Sequence, residues 1–363
     1  MGKFKESVYD YLAPLWKTEK VLNETVMFVG EDDVAELLYE PEEILSVRNY
    51  RLDRNYQPDE DYLLEGKRIR RGRNSAIPYW DQQAYYAPDY NVFAIGAKEE
   101  ICEKMGGKRY LKYGEGDTFT SKQIAVSYIR KDTFAGEIPR GKCEKFPKVL
   151  ARLRRGERLK FLFYGDSITT GCNASGTAMG GMIPPYMPPF DELVCRYLTE
   201  KYGACIEKIN TAVGGMDTQW GVDNFEERVL SHEPDFIVIA FGMNDLQTPF
   251  EKYRAMIKDM IDRAHTALPD AEIMLVSSIL PNDEAEKAWF ANQRFFYREL
   301  LALEKEYAFV AMADVTTMHR QILAAGKRYR DMTANNINHP NDFLIRLYAQ
   351  IILTTLLGKE FDL

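Results

Sequence analysis

A serine, a histidine, an asparagine and a pair of glycines, each beside a short apolar run, carry the chemistry that this chain can perform. Residues 159–171, LKFLFYGDSITTG, place four apolar residues, Phe161, Leu162, Phe163 and Tyr164, directly before Gly165-Asp166-Ser167. This is the pattern of a buried parallel strand that delivers a side chain to the rim of its sheet, which makes Ser167 a candidate nucleophile. Its surroundings are not the G-x-S-x-G elbow, because Asp166 precedes the serine and Thr169 stands where the second glycine belongs.

Three more blocks fall beyond strand ends or before the last helix. Asn210-Thr211-Ala212-Val213-Gly214-Gly215-Met216 holds two adjacent glycines, which turn the backbone tightly and leave an N–H unobstructed toward the serine. Phe241-Gly242-Met243-Asn244-Asp245 sets an asparagine amide at a strand tip. Asn336-Ile337-Asn338-His339-Pro340 supplies an imidazole, with Pro340 suited to the first turn of a closing helix. Acyl transfer from an ester requires this set: a hydroxyl attacks, an imidazole takes its proton, and pre-aimed N–H groups stabilise the oxyanion.

The elements that must position these groups divide the chain in two. Over residues 25–129 short β-like runs alternate with turn residues, at 25–29, 44–49, 62–64, 68–70, 90–95 and 123–129, which predicts a small antiparallel sandwich. A short amphipathic helix is expected within residues 4–16. After the connector marked by Gly136, Pro139 and Gly141, and a helix at 146–155, apolar strands alternate with longer amphipathic stretches. Strands are expected at 161–164, 205–213, 236–241, 273–280 and 309–313, and helices at 190–202, 250–268, 284–307 and 341–357. Such alternation implies right-handed crossovers and a parallel sheet with helices on both faces. The expected domains are 1–145, β-rich, and 146–363, catalytic.

GDSIT, the glycine after NTAVG, GMND and the late His-Pro resemble the ordered blocks of the GDSL, or SGNH, hydrolase superfamily. The resemblance covers residues 159 to the C-terminus. It implies a three-layer α/β/α, flavodoxin-like fold around a five-stranded parallel sheet, preceded here by a small β-sandwich, jelly-roll-like domain. It also implies Ser167 as nucleophile and first oxyanion donor, Gly215 as the backbone donor, Asn244 as the side-chain donor and His339 as general base.

One position departs from the family pattern. An aspartate usually stands three residues before the histidine, where this chain has Asn336. Replacing that carboxylate by asparagine in a serine protease costs about 10⁴ in turnover. The expectation is a Ser-His dyad whose histidine is oriented by a backbone carbonyl or by the oxygen of Asn336; Asp331 and Asp342 are the other carboxylates within reach in sequence. Without a carboxylate beside His339, activity is expected to persist to mildly acidic pH.

The 363 residues carry a net charge of −8, which argues against a nucleic-acid partner. The basic run from Lys67 to Arg73 follows Asp59-Glu60-Asp61 closely and reads as a solvated hairpin. No apolar run approaches the ~20 residues of a membrane span, and the N-terminal segment lacks a signal-peptide core, so a cytoplasmic address is expected. The five cysteines form no CxxC pair, no cluster has metal-ligand spacing, and neither metal nor cofactor is expected. His232, His265 and His319 are expected at surface or capping positions.

Residues 176–189, rich in Gly, Met and Pro, are expected to wall the acyl pocket, with Tyr186, Met187 and Trp220 near substrate. The aromatic cluster Tyr79, Trp80, Tyr85, Tyr86, Tyr90 and Phe93 is expected to serve packing before sugar stacking. The site defines the bond, not the molecule. A β-rich domain joined to an SGNH domain resembles several carbohydrate acetylesterases, so the expected partner is a small acetylated sugar. The alternatives are a general short-chain esterase or thioesterase, and a non-catalytic carbohydrate-binding protein.

Overall fold

The computed structural model describes residues 3–5, 7–86, 94–107 and 109–361. The N-terminal part contributes strands β1 (Lys20–Met27), β2 (Val34–Glu36), β3 (Pro41–Asn49), β4 (Tyr62–Glu65), β5 (Arg68–Arg71), β6 (Ala94–Gly96), β7 (Tyr110–Lys112) and β8 (Gln123–Arg130). They pair antiparallel, as the short alternating runs predict, in three small sheets of order β1-β8-β3, β2-β5-β4 and β6-β7. Of the strand expected at 90–95, residues 90–93 lie outside the described residues, as do Tyr90 and Phe93 of the aromatic cluster. The expected N-terminal helix is one short turn, Val8–Leu12, capped by Ser7.

The C-terminal part holds β9 (Arg158–Gly165), β10 (Cys205–Asn210), β11 (Phe236–Ala240), β12 (Glu272–Val276) and β13 (Val310–Ala313), all parallel and ordered β10-β9-β11-β12-β13. Side chains alternate between two cores. Phe161, Phe163, Val238 and Met274 face the helices Phe190–Tyr202 and Asp342–Leu357, while Leu162, Tyr164, Ile239 and Leu275 face Phe250–Ala267 and Tyr297–Glu306. Burial on both faces explains why β9, β11, β12 and β13 read as apolar runs, whereas β10, CIEKIN at the sheet edge, is partly exposed along its length. Because β10 and β11 flank β9 on opposite sides, the chain reverses direction at the carboxyl end of β9, and a crevice opens there.

Two helix expectations change. The 284–307 stretch is helical only over Tyr297–Glu306. Residues 284–286 bond instead to the N-terminal part: Lys98 N donates to the Glu284 carbonyl at 2.9 Å and Glu286 N to the Gly96 carbonyl at 2.8 Å, so these groups are not free for helical pairing. A further helix, Val315–Ala324, follows β13, outside the stretches where the sequence predicts helix. The closing helix starts one residue later than expected, with Asn341 as its cap and Pro340 outside its first turn.

A polar seam joins β1 to the segment 327–341. Lys327 and Glu24, both fully buried, pair at 2.8 Å. Tyr128 donates to the second Glu24 oxygen at 2.6 Å, Asp331 accepts from Met27 N at 2.9 Å, and Asn341 Nδ2 donates to Thr25 and Gln123 at 2.9 Å. Buried charges of this kind demand their partners and so specify one docking register. His319, expected at a surface or capping position, is fully buried: its Nδ1 accepts from Leu280 N at 3.0 Å, and burial pushes its pKa down to about 3.

Candidate active site

β9 ends at a glycine for a steric reason. A Cβ on Gly165 would stand 2.4 Å from the Ala240 carbonyl oxygen and 2.4 Å from Thr169 Oγ1. The turn beyond it is closed by Thr170 N on the Asp166 carbonyl at 3.0 Å and by Cys172 N on the Ser167 carbonyl at 3.0 Å. Ser167 thereby emerges at the crevice. Its Oγ lies 2.9 Å from His339 Nε2, so that the hydroxyl donates to the imidazole when Nδ1 carries the ring proton.

The loop that carries His339 is organised by Asn335. Its Oδ1 accepts from the backbone N–H groups of Ile337, Asn338 and His339 at 3.0, 3.0 and 2.9 Å. Thr333 Oγ1 donates to the His339 carbonyl at 3.1 Å. The imidazole is thus held from its backbone as well as its ring.

Nδ1 of His339 faces two oxygens outside the sequence-based expectation, Asn173 Oδ1 at 2.7 Å and Glu115 Oε2 at 3.3 Å. Asn336, expected as orienter, is engaged elsewhere. Its Oδ1 accepts from Tyr85 OH at 2.8 Å and Asn282 Nδ2 at 3.2 Å, and its Nδ2 donates to the Lys112 carbonyl at 2.9 Å. With φ of 73°, its backbone sits in the left-handed region that asparagine tolerates. Asp331 and Asp342 are also committed, to Met27 N and Ser175 N. The carboxylate near His339 comes from the loop after β7, and the expectation of activity in mild acid loses its premise.

Glu115 is itself braced. Its Oε1 accepts from Tyr113 OH and, at 3.1 Å, from Asn335 Nδ2. Burial alone would raise its pKa, but hydrogen bonds from His339, Tyr113 and Asn335 and the attraction of His339 outweigh it and hold the carboxyl at about 2. Asp166 behaves oppositely: burial pushes it up to about 7 against hydrogen bonds from Ile168 and Met243.

Ser167, His339, Gly215 and Asn244 meet at one cavity of about 680 Å³. Gly215 has φ of 79°, which favours glycine, and Asn244 holds its amide by donating from Nδ2 to the Met216 carbonyl at 3.1 Å. A Cβ on Gly214 would lie 3.7 Å from Ser167 Cβ, which measures how closely this backbone approaches the hydroxyl. Trp289 and Ile337 line both this cavity and an adjoining one of about 220 Å³. Among the described residues no group of three His, Cys, Asp or Glu side chains is arranged to hold a metal, and no helix is long and apolar enough to cross a membrane.

Three expected substrate contacts do not line the cavity. Trp220 packs 6.0 Å from the Tyr164 ring with Arg228 over it, against the core that holds Leu162, Tyr164 and Ile239. Tyr186 belongs to a turn closed by its own N–H on the Ile183 carbonyl at 2.8 Å, and Met187 is fully buried. From residues 176–189 it is Met179 that reaches the cavity. Tyr85 and Tyr86 pack as expected, and their hydroxyls bond to Asn336 and Glu284.

The missed groups left partial signals. Asn173 lies in the same turn sequence as Ser167, and Glu115 stands between Gly114 and Gly116, a carboxylate on a tight turn. Neither spacing says which loop meets the histidine.

Residues 163–343 match the GDSL-like Lipase/Acylhydrolase family. Among solved structures, the chain is similar to a two-domain esterase active on acetylated mannans, co-crystallised with mannopentaose, at 24% identity and TM-score 0.48, over 59% of this chain and 53% of that one. It is also similar to the acetylxylan esterase Axe2 of Geobacillus stearothermophilus, at 19% identity and TM-score 0.45, over 58% and 97% of the two chains. The chain thus spans about half the length of the two-domain esterase. No curated protein sequence matches it.

Proposed function

We propose that this chain, whose residues 163–343 belong to the GDSL-like lipase/acylhydrolase family, is a serine esterase that removes short acyl groups, acetyl first among them, from neutral hydroxyl-rich alcohols such as sugars. The observation that carries the reading is the 2.9 Å contact of Ser167 Oγ with His339 Nε2 at a cavity that Gly215 and Asn244 also line.

In this mechanism Ser167 Oγ attacks the ester carbonyl while His339 Nε2 takes its proton. The carbonyl oxygen becomes an oxyanion that the N–H groups of Ser167 and Gly215 and the Asn244 amide stabilise. His339 then protonates the departing sugar oxygen, leaving an acyl-Ser167 ester. Water, deprotonated by the same imidazole, attacks that ester, releases the carboxylic acid and restores Ser167.

Charge supports a neutral substrate. Among the described residues the cavity carries the carboxylates of Glu115 and Glu286 and neither lysine nor arginine. A coenzyme A thioester or a phospholipid would bring phosphate to this wall and meet repulsion. The test compares 4-nitrophenyl acetate and octanoate, acetylated oligosaccharides and acetyl coenzyme A, with Ser167→Ala as control. Acetate release from the oligosaccharides supports the reading. Preference for octanoate or the thioester, or sugar binding without turnover, would replace it.

A further inference from the structure

The loop after β7 reaches the catalytic domain from the N-terminal part and ends with a carboxylate at the imidazole. Glu115 Oε2 lies 3.3 Å from His339 Nδ1, the nitrogen turned away from Ser167. Its other oxygen is fixed by Tyr113 and Asn335, and its backbone carbonyl accepts from Thr118 Oγ1 at 2.7 Å. Asn335 is also the residue whose side chain gathers the backbone around His339, so one asparagine sets both partners. The strand before this loop bonds to the histidine loop through the Lys112 carbonyl and Asn336.

We propose that Glu115 is the acidic positioning residue of His339, so that the N-terminal part supplies the third member of a Ser-His-Glu system across the boundary between the two parts of the chain. The proposal rests on the reading of Ser167 and His339 as the catalytic pair. Labour at Nδ1 is divided. The neutral Asn173 oxygen, at 2.7 Å, holds the tautomer that leaves Nε2 free to accept. The Glu115 carboxylate stabilises the imidazolium that forms when Ser167 gives up its proton.

The groups facing the imidazole are Ser167 and Asn173 from the stretch after β9, Glu115 from the N-terminal part, and the charge of buried Asp166 beneath the nucleophile. Facing Glu115 in turn are Tyr113, Asn335 and Cys172. Burial disfavours ionisation of Asp166, whereas Glu115 is held ionised by its partners. Of the two carboxylates Asp166 and Glu115 near the imidazole, Glu115 is therefore the one that stays ionised near neutral pH.

The experiment uses the full chain and 4-nitrophenyl acetate. Glu115→Gln keeps the side-chain shape and removes the charge. It is expected to lower kcat about 10- to 100-fold with KM little changed, a smaller loss than the removal of a sole orienting carboxylate because Asn173 remains. It is also expected to move the acid limb of the kcat/KM profile to lower pH by about one unit, since the imidazolium loses its counter-charge. The double variant Glu115→Gln with Asn173→Asp puts a carboxylate back at Nδ1 and is expected to recover most of the lost kcat.

Wild-type kcat and an unmoved acid limb in Glu115→Gln, with Ser167→Ala inactive, would overturn the proposal and leave the catalytic pair standing. Loss of activity with no limb shift and no recovery in the double variant would reduce Glu115 to a brace and overturn it equally. Full activity in Ser167→Ala would remove the underlying reading itself.

Discussion

The hydroxyl of Tyr85 donates to Asn336 Oδ1 at 2.8 Å, both residues being buried. Where the family resemblance implies an aspartate, this chain carries an amide, whose Nδ2 also donates to the Lys112 carbonyl. Asn336→Asp would set a carboxylate oxygen against that carbonyl and bury an unpaired charge. A loss of about 1–3 kcal/mol in chemical denaturation is expected, with no gain in kcat. A faster enzyme of unchanged stability would show that the aspartate can still reach His339.

Ser167 and His339 act as a unit in the proposed mechanism, so their losses should not add. Ser167→Ala and His339→Ala are each expected to lower kcat by about 10³-fold or more, and the double variant should be no worse than the weaker single. Asn336→Ala should cost far less in kcat than His339→Ala. Multiplicative losses in kinetics on 4-nitrophenyl acetate would contradict the shared role.

Asn244 offers its amide where the oxyanion is proposed to form. Asn244→Ala is expected to reduce kcat by about 10²–10³ while KM stays within a small factor, because the interaction strengthens only in the transition state. A rise in KM at constant kcat would make it a ground-state contact.

Trp289 lines both adjoining cavities and is 37% exposed. Trp289→Ala should join them and raise the ratio of octanoate to acetate hydrolysis. Trp220→Phe and Tyr186→Phe should leave that ratio unchanged, since neither side chain lines the cavities. Selectivity measured on the two nitrophenyl esters decides the point.

Burial pushes Asp342 up to about 6, against hydrogen bonds from Ser175 and Tyr50 that favour the ionised form. The unfolded aspartate titrates near its ordinary value of about 3.9. Between these values the unfolded chain has released a proton that the fold retains, so this group makes stability fall as pH rises from about 4 to about 6. Melting temperature should decline across that window and decline less steeply in Asp342→Asn. Equal slopes would show that Asp342 ionises normally in the fold.

Local order in the chain was sufficient for the catalytic sheet and for the candidates on it. Phe161 to Tyr164 ending at Gly165-Asp166-Ser167, and the helix Phe190–Tyr202, are legible because burial on both faces writes long apolar runs and because tight strand ends need glycine. Packing of Tyr85 and Tyr86 likewise follows from their size and hydrophobicity. Which oxygen meets His339 was decided only in three dimensions. Glu115, Asn173 and Asn336 are all polar turn residues, and their roles depend on how the N-terminal sheets dock against the loop 327–341 through the seam of Lys327, Glu24 and Asp331. Side-chain type and spacing report a residue's own element. A contact between loops far apart in the chain depends on the packing of everything between them.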